Sequence, residues 1–164
     1  MKMRALIIVI SLAALLTACN EAGAGSAQDG GSAAPGSSDV EVATAIIEGD
    51  KGPVLVNVEV AETSEERQKG LMFRESLPAD SGMVFIFFGG SEGGFWMKNT
   101  LIPLSIAFFD QDGEIVRILD MEPCTREPCR IYDPEVSYYG ALEVNSGAFD
   151  EWGIEEGDTF RMNQ

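Results

Sequence analysis

The stretch LSIAFFDQDGEIVRIL, residues 104–119, constrains the fold more than any other. Two runs rich in β-branched and aromatic residues flank Gln111-Asp112-Gly113. Asp-Gly is the preferred pair of a tight turn, because glycine accepts a positive φ without steric cost, so this stretch is a β-hairpin. Other segments carry the same signature. VEVATAIIEG (40–49) and GPVLVNVEVA (52–61) alternate and are β-branched, with EGDKG supplying a turn between them. GMVFIFF (82–88) is a continuous apolar run, which suits a strand covered on both faces. YYGALEV (138–144) and GDTFRM (157–162) add two more strands. Helical signals are brief. Thr63 with Glu66 forms a capping box for a helix from Ser64 to about Met72. In NSGAFDEWGI, Asn145 or Ser146 caps a second helix and Gly153 ends it. The expected architecture is α+β and β-rich: a curled antiparallel sheet or barrel-like domain with two short helices.

The beginning of the chain reads differently. Lys2 and Arg4 precede an apolar run from Ala5 to Leu16, and LTAC follows, ending at Cys19. A charged start, a short apolar core and small residues before a cut make a signal peptide over residues 1–18. The cysteine after Leu16-Thr17-Ala18 resembles the lipobox of bacterial lipoproteins. That resemblance implies lipid on Cys19 and, with Asn20 rather than Asp beside it, an outer-membrane location facing the periplasm in a double-membraned cell. Residues 19–39 are then the lipidated cysteine and a tether of Gly, Ser and Ala. About twenty such residues span roughly 25 Å. Residues 40–164 remain as a single globular domain, close to the usual domain size.

Charge and cysteines narrow the partners. Without Lys2 and Arg4 the chain has 27 acidic residues and 11 − 2 = 9 basic ones, a formal charge of −18. Nucleic acid is not an expected partner, since its affinity comes mainly from Lys and Arg meeting phosphates. The expected contacts are the membrane, through the lipid anchor, and an envelope ligand or protein. The other two cysteines, Cys124 and Cys129 in PCTREPC, suit a disulfide in an oxidising compartment. Their spacing is not CxxC, and two thiols without histidine make a poor zinc site. No metal and no cofactor is expected.

The sequence contains no histidine. Ser-His-Asp and Cys-His catalysis are therefore excluded, and acid–base work would fall to carboxylates, Lys or Tyr. The cluster Phe95-Trp96-Met97-Lys98-Asn99 invites two readings. In one, the aromatics bury, Lys98 snorkels and Asn99 bonds to the backbone of a turn. In the other, Trp96, Lys98 and Asn99 line a pocket. Arg67 and Arg74 share a helix face if the helix reaches that far, and could hold an anion or pair with Glu65, Glu66 or Glu75. Glu143 lies between apolar neighbours on a strand, pointing outward or buried beside an arginine. Ser105 near Lys98 raises a Ser-Lys nucleophile, with nothing in the sequence to set its geometry. The methionines read as core filler.

Three long stretches, ERQKGLMFRESLPADSGMVFIF, FWMKNTLIPLSIAFFDQDGEIV and ALEVNSGAFDEWGIEEGD, together closely resemble the family called domain of unknown function 192. The resemblance covers roughly residues 54–162. It rests on Arg67, Gly70-Leu71-Met72, Arg74, Gly82-Met83, Trp96 through Thr100, Pro103-Leu104, Asp112-Gly113, Leu142-Glu143 and the late glycines Gly147, Gly153 and Gly157. Ser105 departs from the pattern, where the family usually has Asp. The resemblance implies a compact β-rich domain and no established activity. It also implies that Arg67, Arg74, Trp96, Lys98, Asn99 and Glu143 converge in one place. The leading expectation is a non-catalytic envelope lipoprotein that binds a ligand or partner. The alternatives are a hydrolase or lyase of envelope polymers using carboxylates such as Glu143, and a structural or assembly role.

Overall fold

The computed structural model describes residues 40–163. The expected signal peptide, Cys19 lipidation and tether fall outside the described residues. Nine strands and two short helices follow one another: β1 Val42–Gly49, β2 Gly52–Ala61, α1 Ser64–Lys69, β3 Ser81–Ser91, β4 Phe95–Trp96, β5 Leu104–Phe109, β6 Ile115–Met121, β7 Ile131–Tyr132, β8 Tyr138–Asn145, α2 Ala148–Trp152 and β9 Thr159–Asn163. Seven strands form one curled sheet in the order β6-β5-β8-β3-β2-β1-β9, and β4 pairs with β7 in a small second sheet. The expected β-rich α+β class, curled sheet and two short helices are all present.

The sheet is mixed rather than wholly antiparallel. β2 and β3 run parallel, with Asn57 opposite Ser81 and Ala61 opposite Phe85. A parallel pair needs a long crossover, and residues 62–80, which include α1, supply it. The hairpin around Asp112-Gly113 joins β5 to β6, as its sequence requires. Its turn also closes the sheet into a half-barrel. Phe160 N–H donates to the Gly113 carbonyl at 2.7 Å, and Ile115 N–H to the Asp158 carbonyl at 2.8 Å. Gly113 sits at φ 85°, and a Cβ there would lie 2.3 Å from the Phe160 carbonyl oxygen, so the corner where the edges meet needs glycine.

Two apolar clusters cover the sheet, one on each face. On the first, Val56, Val58, Val84, Leu142 and Val144 pack against Phe149 and Ile154, with Phe109 stacked on Phe160 at 4.1 Å between centroids. The cap of α2 is Gly147, not Asn145 or Ser146, so the cap residue has no side chain to bond to the first turn. Instead the Gly147 N–H donates to Ser105 Oγ at 2.9 Å, while the Ser105 hydroxyl donates to Asp120. Ser105 is thus committed to a buried structural contact under α2. On the second face, Leu71, Met83, Phe85, Met97, Ile106, Phe108 and Tyr138 pack together under irregular chain.

Candidate functional site

The site begins with how α1 ends. Thr63 and Glu66 form the reciprocal capping box, with Glu66 N–H donating to Thr63 Oγ1 and Thr63 N–H to the Glu66 carboxylate. These bonds hold the Glu66 carboxyl below its ordinary range. The helix stops at Lys69, and Gly70 turns the chain back over the sheet. Leu71 then plugs into the second face at 2% exposure. The early stop separates the two arginines. Arg67 Nη1 donates to the carbonyls of Glu62 and Ile86, and its guanidinium lies over the Phe87 ring at 4.9 Å. Arg74, past the helix end, pairs with Glu59 at 2.6 Å. Neither arginine pairs with Glu65, Glu66 or Glu75, the local acids expected from sequence.

Two adjacent cavities share a wall beside this turn. The inner one, about 30 Å³, is bounded by Arg67 through Met72, by Phe85, by Phe95 and Trp96, by Thr100 and by Glu143. The outer one, about 220 Å³, shares Arg67, Gln68, Phe85, Phe95 and Trp96 and continues to Phe87, Ser91 and Tyr138. Together they make one cleft with aromatic walls. Phe95 stands edge-on to Phe85 and Phe108, which fixes that wall from behind.

Glu143 is the floor of the inner cavity. β8 lies between β3 and β5, so Glu143 sits opposite both Met83 and Ile106 in the middle of the sheet. Its neighbour Gly82 lets the strands close: a Cβ there would meet the Glu143 carbonyl at 2.5 Å. The residue is 5% exposed, and burial alone pushes its carboxyl up from 4.5 to about 8. No arginine stands beside it as a partner, and neither Arg67 nor Lys69 contributes to that shift. Among the described residues, no side-chain oxygen sealed from solvent lacks a hydrogen bond. The Glu143 carboxyl is therefore reached from the cavity.

The structure brings together Arg67, Trp96 and Glu143 at this cleft, with Lys98 at its edge. Lys98 Nζ lies 5.6 Å from the Trp96 ring centroid and pairs with Glu127 at 3.0 Å. That pairing is the first cause holding the Glu127 carboxyl below its ordinary range. Arg74 does not line the cleft; it borders a third small cavity with Glu59 and Met83, on the far side of Lys69 and Gly70. Asn99 is exposed at φ 58°, and its amide reaches the Met72 sulfur at 3.8 Å. Its carbonyl accepts from Phe73 N–H at 2.8 Å, and Phe73 itself sits at φ 65°. Asn99 is thus a turn residue; the buried Thr100 beside it lines the cavity.

Residues the sequence did not single out include Gln68, Phe85, Phe87, Thr100 and Tyr138. Only their long-range pairing reveals them; for Thr100 the one hint is its place after Trp96-Met97-Lys98-Asn99. Cys124 and Cys129 lie at disulfide distance, S–S 2.03 Å, in a loop beside a wider cavity of about 260 Å³. Exposed Glu122 and Arg126 line that cavity together with the buried ring of Tyr132, whose hydroxyl accepts from Glu122 N–H at 2.9 Å. No group of three potential metal ligands occurs among the described residues, and no helix among them is long and apolar enough to cross a membrane.

The family model DUF192, whose description reads Uncharacterized ACR, matches residues 45–162. This chain belongs to the DUF192 family. Two solved structures are similar to it. A proposed transcription regulator from Sinorhizobium meliloti 1021 shares 30% identity with a TM-score of 0.70, the match covering 75% of this chain and 95% of that one. A protein of unknown function from Novosphingobium aromaticivorans DSM 12444 shares 31% identity with a TM-score of 0.71, covering 76% and 87%. No curated protein matches. In DUF192 terms, the matched region spans the whole cleft, from α1 to Glu143.

Proposed function

We propose that this DUF192 chain is a non-catalytic, ligand-binding lipoprotein of the cell envelope, and that the Glu143 cleft is its binding site. One observation carries the reading: a carboxyl 5% exposed, bonded to no described residue and open to a cavity. Burying such a group without a partner costs free energy that packing must offset. A ligand that donates to it or accepts from it returns that energy on binding. A purely structural role would call for a polar network satisfied within itself. Glu143 has no such network.

Catalysis is the weaker reading. Polymer hydrolysis by carboxylates generally uses a pair, roughly 5 to 9.5 Å apart across the scissile bond. Among the described residues lining the two cavities, Glu143 is the single carboxyl. The regulator description of the Sinorhizobium protein is not carried to this chain, because a formal charge of −16 opposes phosphate contacts. We further propose that lipid on Cys19 and the tether after it hold the domain at the outer membrane, facing the periplasm.

Thermal shifts of the full chain against saccharides, amines, carboxylates, phosphates and fatty acids test the site. A ligand at ~100 times its dissociation constant adds about 2.7 kcal/mol. The expected result is a shift in the native chain that Glu143→Ala loses. A blank across every class, or shifts indifferent to Glu143, would sink the reading. Metabolic labelling with a fatty-acid analogue checks the anchor: incorporation is expected, and Cys19→Ser should abolish it.

A further inference from the structure

We infer that the Glu143 cleft takes a neutral, hydroxyl-rich ligand: a saccharide ring seated on aromatic faces with one hydroxyl reaching the carboxyl. This rests on the cleft being the binding site. Three observations choose the class. The first is size. The outer cavity, about 220 Å³, lies below the range of drug-sized pockets, so it admits one ring or the end of a longer molecule.

The second is the pairing of apolar faces with planar polar groups. Trp96, 43% exposed, and the half-buried Phe87 and Phe95 offer ring surface to the C–H faces of a sugar. The Gln68 amide borders both cavities, and the Thr100 hydroxyl and Glu143 lie in the inner one, whose volume of about 30 Å³ has room for a single hydroxyl. A hydroxyl both donates and accepts, and so does a protonated carboxyl, so each can satisfy the other in either direction. Glu143 carries its proton at neutral pH because burial pushes it to about 8.

The third is charge. Arg67 and Lys69 border the inner cavity and disfavour a cation in it. The formal charge of −16 disfavours the approach of an anion. A neutral polyol meets neither obstacle.

The two tryptophans make the test direct. Trp96 lines the cleft, while Trp152 packs against the other face. In the full chain carrying Trp152→Phe, held in a polyoxyethylene detergent free of sugar, emission reports on Trp96 alone. The probes are glucose, galactose, N-acetylglucosamine and their β-linked disaccharides, with cadaverine and acetate as charged comparators. A saturable change with a saccharide is expected, with affinity lowered about 10-fold or more in Glu143→Ala and largely kept in Glu143→Gln. Disaccharides binding far better than monosaccharides would point to a polymer end; equal binding would point to a free sugar. If Glu143→Ala does not fold, retained binding in Glu143→Gln together with loss in Thr100→Val serves instead. Binding of cadaverine or acetate through Glu143, with saccharides silent, overturns the saccharide class and leaves the binding-site reading standing. Saccharide binding untouched by all these variants overturns the assignment of the cleft. Silence from all the probes overturns the saccharide class, and the wider thermal panel then decides the site.

Discussion

On one face of the sheet, Leu142 and Val144 of β8 lie under Phe149 and Ile154, in a cluster made wholly of apolar side chains. On the other, one residue along the same strand, Glu143 lies under the Gly70 turn and two cavities. Strand, neighbours and burial are nearly the same; the cover differs. A helix with its apolar face down can close-pack a sheet. A turn and a two-residue strand cannot, and they leave room. The comparison teaches that the site is located by what covers the sheet, since both faces of the central strands are buried.

The largest test attacks the packed face. Phe149 is 2% exposed, and Phe149→Ala should cost about 3–5 kcal/mol, read from urea unfolding. The loss should not follow the titration of Glu143, which lies on the opposite face of the sheet. A loss that varied with pH in step with Glu143 would mean that the two faces are not independent.

A second test attacks the open face. Between 4.5 and about 8, the folded chain keeps a proton on Glu143 that the unfolded chain has released. The stability contributed by that difference is complete below about 4.5 and is lost as pH rises through about 8. Arg67 and Lys69 of α1 are the charged groups that border its cavity. The decline is at most about 1.4 kcal/mol per pH unit. Glu143→Gln should remove it, so the mutant gains on the native chain as pH rises. Parallel curves for the two proteins would show that the Glu143 carboxyl is already solvated or paired.

How much of this was legible in the sequence follows from range. The 112–113 turn, the capping box and the apolar strands are local, and each appears where its residues direct. The parallel β2–β3 pair was not legible, because a crossover is fixed by where the chain returns, not by strand pattern. Glu143 could be named as a candidate, yet its burial depends on β3 and β5 flanking β8. Arg74 was misplaced because helical spacing was extended past Gly70, where the helix has ended. Ser105, where the family usually has Asp, contacts Gly147 and Asp120 under the packed face, so that departure does not touch the cleft.

The smallest effect decides the border of the site. Asn99 holds φ 58°, a conformation that costs most L-residues about 1–2 kcal/mol and glycine nothing. If its role is that turn, Asn99→Gly should change stability by less than about 0.5 kcal/mol, while Asn99→Ala should lose about 1 kcal/mol. Thermal or urea unfolding of the pair separates them. Ligand affinity should survive in both, because the side chain points to Met72 rather than into the cavity. A glycine variant as stable as the native chain but unable to bind would reverse that assignment. The amide would then belong to the ligand, and the open face would extend past Thr100 onto the exposed turn that Phe73 and Asn99 share.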